Sequence, residues 1–192
     1  TMPVPMTWGE GIIRITTDDL ITGSLVDKVG VEPTAPESLV YRLVLSNCAE
    51  VLAYRLDTGG VKASGTVDDL ELTAKYEGTT GNEVTVVVIE NTADNNFDVI
   101  TYLGNVQKGI QLVVDSTELV DNDFVRFGYT TGVLTPTAGV PLTWGTNGSV
   151  SDAQYNAYLG AIQGYDFNTM GVPQEAITAN SLIETAIRNL RE

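Results

Sequence analysis

Asp18-Asp19 and Asp68-Asp69 are adjacent carboxylate pairs, the residue type that can divide acid and base roles when two converge in a cleft. The rest of the chemical inventory is short. The 192 residues include no histidine and one cysteine, which removes the side chain most used for proton transfer near neutral pH and for transition-metal ligation. A histidine-dependent triad and a multi-cysteine zinc site are therefore excluded within this chain. Acidic residues number 25 against 10 basic ones, for a formal charge of −15, so adjacent carboxylates are expected mainly as a solvated surface. A carboxylate-dependent hydrolase would need two acids held about 5–10 Å apart in a cleft.

Other polar clusters also read as structure. Asp94-Asn95-Asn96 and Asp121-Asn122-Asp123 offer hard oxygen donors, but neither has the spacing or the closing bidentate glutamate of a calcium loop, and such triplets are common turns. Gly78-Thr79-Thr80-Gly81 lacks the long glycine loop followed by Lys and Ser/Thr that cradles phosphate. Cys48 lies in an apolar helical pattern and is expected as a buried structural thiol. No catalytic, cofactor-binding or metal-ligating residue is assigned, and no cofactor is expected. Strong negative charge without a basic–aromatic patch argues against nucleic acid as a partner. Thr1-Met2-Pro3-Val4-Pro5 has no secretory pattern, and no run approaches the roughly 20 apolar residues that span a bilayer, so membrane insertion is not expected.

The elements fall into three stretches. Gly11–Thr16 reads as a strand and Asp18–Gly23 as a short helix that glycine ends. Thr34-Ala35-Pro36-Glu37 has capping-box spacing and leads into Leu39, Val40, Leu43, Val44 and Cys48, one expected buried helical face. Val51–Leu56 reads as a buried strand. After Gly60 the composition turns to Thr, Val, Gly, Asp and Asn, with strand-like runs at 70–75, 84–90, 97–102, 110–114 and 124–127. Val86, Val88, Val99, Leu112, Val114 and Phe127 are its expected core. From Gly145 the helical period returns: Ser151–Gln154 matches a capping box, with Tyr155, Tyr158, Leu159 and Ile162 as one face. Phe167–Val172 is a strand candidate, followed by a helix with Ala179, Leu182, Ile183, Ala186, Ile187 and Leu190 inward.

The order is α/β, all-β, α/β, and either outer part alone would leave an apolar face uncovered. The expected fold is α+β: a discontinuous α/β sheet-and-helix domain, residues 1–58 and 148–192, with an antiparallel β-barrel or β-sandwich, residues 59–147, inserted. Glycines at both junctions suit an insertion.

Four segments, in this order, are similar to the contractile phage tail sheath family, including sheaths of phage-tail-like bacteriocins. They are Val51–Leu56 before a glycine pair, Ala74–Glu83 before a valine-rich strand, Pro141–Gly148 before a helix, and Tyr165–Met170; Pro3–Gly9 resembles the family's early strand. The resemblance implies a non-enzymatic structural protein of a virion tail or tail-like particle, assembled in the bacterial host cytoplasm. Its implied partners are other sheath subunits and an inner tail tube, which contraction drives through a bacterial envelope. A C-terminal tube-facing domain belongs to the family and is expected to be absent here, so the isolated fragment is expected to fold but stay monomeric or weakly associating. The alternative is a carbohydrate-binding or adhesive module, with Trp144 in a shallow sugar platform.

Overall fold

A computed structural model describes residues 1–129, 131–172, 181, 184, 185 and 188. The chain divides into two compact units, one from Thr1–Gly59 with Asn147–Glu192 and the other from Gly60–Thr146.

The first unit is built on a three-stranded sheet, order β1-β3-β2. Its middle strand, β3 (Glu50–Arg55), is the apolar run the sequence marks; Val51, Leu52 and Ala53 are buried. Burial of successive residues is the mark of a strand covered on both faces. β1 (Met2–Val4) pairs with it in parallel and β2 (Ile12–Thr16) antiparallel. Helices α1 (Thr17–Thr22), α2 (Leu25–Val29) and α3 (Leu39–Leu45) lie between β2 and β3 in the chain, and the core joins Met2, Val4, Met6, Ile15, Leu25, Val29, Tyr41, Leu45, Val51 and Ala53. The fourth helix, α4 (Asp152–Ile162), buries Tyr155, Tyr158 and Ile162, the face its periodicity predicts, and Tyr158 packs its ring 5.6 Å from that of Tyr54.

Local chemistry departs from expectation at several points in this unit; at α4, Ser151 makes no side-chain cap bond, so the capping box expected at Ser151–Gln154 does not form. The Thr34–Glu37 capping box does not form: a 3-10 turn (Pro36–Ser38) precedes α3, and Ser38 is buried with its hydroxyl donating to the carbonyls of Pro33 and Ala35. The helix is thereby rotated, so Tyr41 and Leu45 face inward with Val40 and Val44 beside them, whereas Leu39 and Leu43 are exposed. Cys48 lies beyond the end of α3 and is exposed, its thiol near the carbonyls of Val44 and Glu50, which corrects its reading as a buried thiol. Phe167–Val172 forms no assigned strand, although Gly171 N–H donates to the Thr1 carbonyl. The helix expected around Ala179, Leu182, Ile183, Ala186, Ile187 and Leu190 lies outside the described residues.

A capping arrangement does occur at Thr16, whose N–H donates to Asp19 Oδ2 at 2.8 Å. Asp19 is buried and also accepts from Ser24 and Lys28. Burial alone would raise its pKa, but the bonds from Lys28, Ser24 and Thr16, with the Lys28 charge, hold it below the ordinary 3.8. A lowered folded value means stability present above the unfolded pKa and lost as pH falls through the folded one. Asp19→Asn is expected to cost about 1–2 kcal/mol at pH 7, mainly through hydrogen bonding because Lys28 is partly exposed. Paired denaturant melts should show that difference shrinking as pH drops below 4.

The second unit contains two open antiparallel sheets. One has order β10-β6-β7-β8, from β10 (Thr137–Pro141), β6 (Val84–Asn91), β7 (Asn96–Leu103) and β8 (Val106–Val113). The other has order β4-β5-β9, from β4 (Lys62–Val67), β5 (Leu70–Glu77) and β9 (Val125–Tyr129). Neither sheet closes on itself, so the barrel alternative falls and the arrangement is sandwich-like. Two hairpin turns carry left-handed Asp68 and Asn95, residues whose short polar side chains tolerate that conformation.

Val86, Val88 and Val99 are buried as expected, together with Leu70, Leu72, Ala74, Val84 and Val125. Phe127 is half-buried. Leu112 and Val114 instead face outward, while Val113 is buried between them. An uninterrupted Leu-Val-Val run fits either parity, and a one-residue choice sends each side chain to the opposite face. The sequence left β4 and β10 unmarked because their small and polar residues carry little hydrophobic signal.

Candidate functional site

The predicted chemical residues are dispersed into architecture. Asp19 belongs to the capping cluster and Asp18 is exposed; Asp68 turns the β4–β5 hairpin, and Asp69 accepts from the Thr131 hydroxyl. Of the second calcium-like triplet, Asp121 accepts from Phe127 N–H, Asn122 from Phe124 and Val125 N–H, and Asp123 pairs with Lys75 at 2.7 Å. That ion pair raises the Lys75 pKa. The first triplet forms the β6–β7 turn, where Asp94 N–H donates to Asn91. Among the described residues no group of three or more His, Cys, Asp or Glu is placed to hold a metal ion.

Gly78-Thr79-Thr80-Gly81 has a definite structural task. It does not join paired strands: β5 and β6 belong to different sheets, and this turn carries the chain from one to the other. Gly78 has φ +124°, a region closed to other residues, and a 3-10 turn (Thr79–Glu83) follows. Gly81 is required for space instead, since an added Cβ would lie 3.0 Å from Ala63 Cβ and 3.1 Å from Ala74 Cβ. Asn82 then clamps Gly145, donating to its carbonyl at 2.9 Å and accepting from its N–H at 2.7 Å. Two of the resembling segments, 74–83 and 141–148, thus meet in one packed joint.

A second joint, in the first unit, was not marked from sequence. Arg55 is fully buried; Nη1 donates to the Gly9 carbonyl at 2.9 Å and Nε lies 3.4 Å from Asp57 Oδ1. That carboxylate accepts from Met6 N–H at 2.7 Å, and the Asp57 carbonyl accepts from Gly148 N–H at 3.0 Å. Residues far apart in sequence are therefore tied to the end of β3. Tyr41 titrates well above the ordinary tyrosine value, first because it is buried and second because of the Asp57 charge. The available signal was an arginine inside an apolar strand with an aspartate two residues on, the spacing that puts both on one strand face.

These joints define the class of fold: a mixed α+β chain in which the polar groups singled out here serve turns, caps and packing. A family model for the phage tail sheath protein beta-sandwich domain matches residues 58–147. The whole chain is similar in structure to the sheath tail protein of Desulfitobacterium hafniense, with TM-score 0.86, 34% identity and 45% of that chain covered. It is likewise similar to a sheath tail protein of Listeria innocua, with TM-score 0.90, 29% identity, and coverage of 99% of this chain and 44% of that one. Among curated proteins of Bacillus subtilis (strain 168), the phage-like element PBSX protein XkdK is 30% identical over 100% of this chain and 45% of its own length. The protein YqbK is 32% identical over 91% of this chain and 41% of its own. The chain belongs to the phage tail sheath family and spans less than half the length of these relatives.

Proposed function

We propose that the chain is part of a structural subunit of a contractile tail sheath, which packs with other copies around an inner tube and contracts to drive that tube through a bacterial envelope. The carrying observation is similarity to two sheath tail proteins over nearly the entire chain, across both units, at TM-scores of 0.86 and 0.90. The name of the PBSX relative, a phage-like element protein, supports a place in a virion or tail-like particle. On this proposal residues 1–58 and 148–192 form one domain into which 59–147 is inserted; the division into units at Gly59 and Thr146 supports it. Contraction then moves packed units as rigid bodies about connecting segments, and the stored free energy lies in the assembly rather than in a nucleotide.

Negative-stain microscopy of the full-length protein, purified alone and with its particle, tests this proposal. Hollow tubes or ring stacks decorated by antibody against residues 58–147 are the expected result; a folded protein that never enters a tail overturns it.

One observation favours a carbohydrate-binding module: Trp144 is 82% exposed on left-handed backbone, φ +69°. An exposed aromatic ring can stack on a sugar. That alternative requires glycan retention that Trp144→Ala abolishes.

A further inference from the structure

Asn147-Gly148 is the one asparagine–glycine pair in the chain. A glycine in second place leaves its backbone nitrogen unscreened by a side chain, so that nitrogen can reach the amide carbon of the asparagine before it. Both residues are half-buried, and with Asp57 and Thr58 they belong to the first unit.

The fold opposes that approach in two ways. Gly148 N–H is spent on the Asp57 carbonyl at 3.0 Å. The glycine is also pressed against the backbone just past β3, since an added Cβ would lie 1.9 Å from the Thr58 carbonyl oxygen, 2.4 Å from its carbon and 3.0 Å from the Asp57 carbonyl oxygen. Swinging the Gly148 nitrogen toward the Asn147 side chain turns the rigid peptide plane between them, which gives up the bond to Asp57. The packed Thr58 backbone leaves little room for that turn.

We propose that Asn147 is a modification site that the fold keeps latent: it deamidates when the tie from Gly148 to Asp57 opens, and its isoaspartate product then keeps the joint from closing as before. In the reaction the Gly148 nitrogen, giving up its proton, bonds to the side-chain carbonyl carbon of Asn147, and ammonia leaves. Water then opens the resulting succinimide at either carbonyl, leaving aspartate or isoaspartate. Isoaspartate routes the main chain through the former side chain and so adds a methylene before Gly148. A contact already too close for a Cβ has no room for the displaced backbone. The aspartate product keeps the native backbone and is the milder change.

Peptide mapping by mass spectrometry, with isoaspartate read by enzymatic methylation, tests the site on the 192-residue chain at mildly alkaline pH. In guanidinium chloride position 147 should react ahead of every other asparagine. In native buffer it should react at least about tenfold more slowly than in denaturant, because reaction waits on local opening. Arg55→Met, which removes the cation beside Asp57, should narrow that gap. Returned to native buffer, the isoaspartate fraction should melt below the unmodified chain, whereas Asn147→Ser carried through the same incubation should regain its starting midpoint. Equal rates in buffer and denaturant, faster loss at another asparagine in denaturant, an Arg55→Met chain no faster than wild type, or an isoaspartate fraction that melts like the unmodified chain overturns the proposal.

Discussion

Arg55→Met is expected to destabilise the first unit by about 3–5 kcal/mol, as removal of one partner from a buried ion pair generally does. The side chain is fully buried, so no water replaces it, and Asp57 would be left facing Met6 N–H without its nearby cation. The Gly9 carbonyl would lose its 2.9 Å donor as well. Adding Asp57→Asn removes the stranded charge while keeping an acceptor for Met6 N–H, so the double variant should recover part of the loss. Urea melts of the wild type, both single variants and the double variant give the coupling directly. An Arg55→Met midpoint close to wild type would show that the pair contributes little.

Gly148→Ala should cost about 3 kcal/mol, the upper part of the range for overpacking. A Cβ built there lies 1.9 Å from the Thr58 carbonyl oxygen and 2.4 Å from its carbon, and both belong to backbone that cannot rotate aside. The strand end must shift, putting the Gly148 N–H bond to Asp57 at risk. Gly160→Ala is the control: this glycine lies in α4, an added Cβ meets nothing within 4 Å, and alanine should stabilise by up to about 1 kcal/mol through helix propensity. Thermal melts showing equal effects at the two positions would remove the steric account. Both large effects converge on Asp57, just past the end of β3.

The sandwich-like unit and the α+β character were legible because alternation, glycine turns and valine-rich runs are local signals. β3, β5, β6 and β7 were each foreseen within a few residues, as was the buried face of α4. The resemblance in 74–83 and 141–148 was legible as motif, but its reason was not: Gly81 is small because Ala63 and Ala74 approach it, and Asn82 is there to hold Gly145. Sequence also missed the wider cluster around Asp19, because only the folded chain brings Ser24 and Lys28 to its carboxylate.

By itself the sequence determined what chemistry is unavailable, since side chains that are absent cannot be supplied by folding, and it determined the type of the elements with a clear period, such as β3, β5, β6, β7 and α4, since backbone periodicity is local. Tertiary structure alone decided which face of α3 and β8 turns inward, which strands share a sheet, and where a buried arginine finds its carboxylate. Those outcomes depend on partners distant in the chain. A strand's two faces differ by one residue of register, and only the surface it meets selects between them.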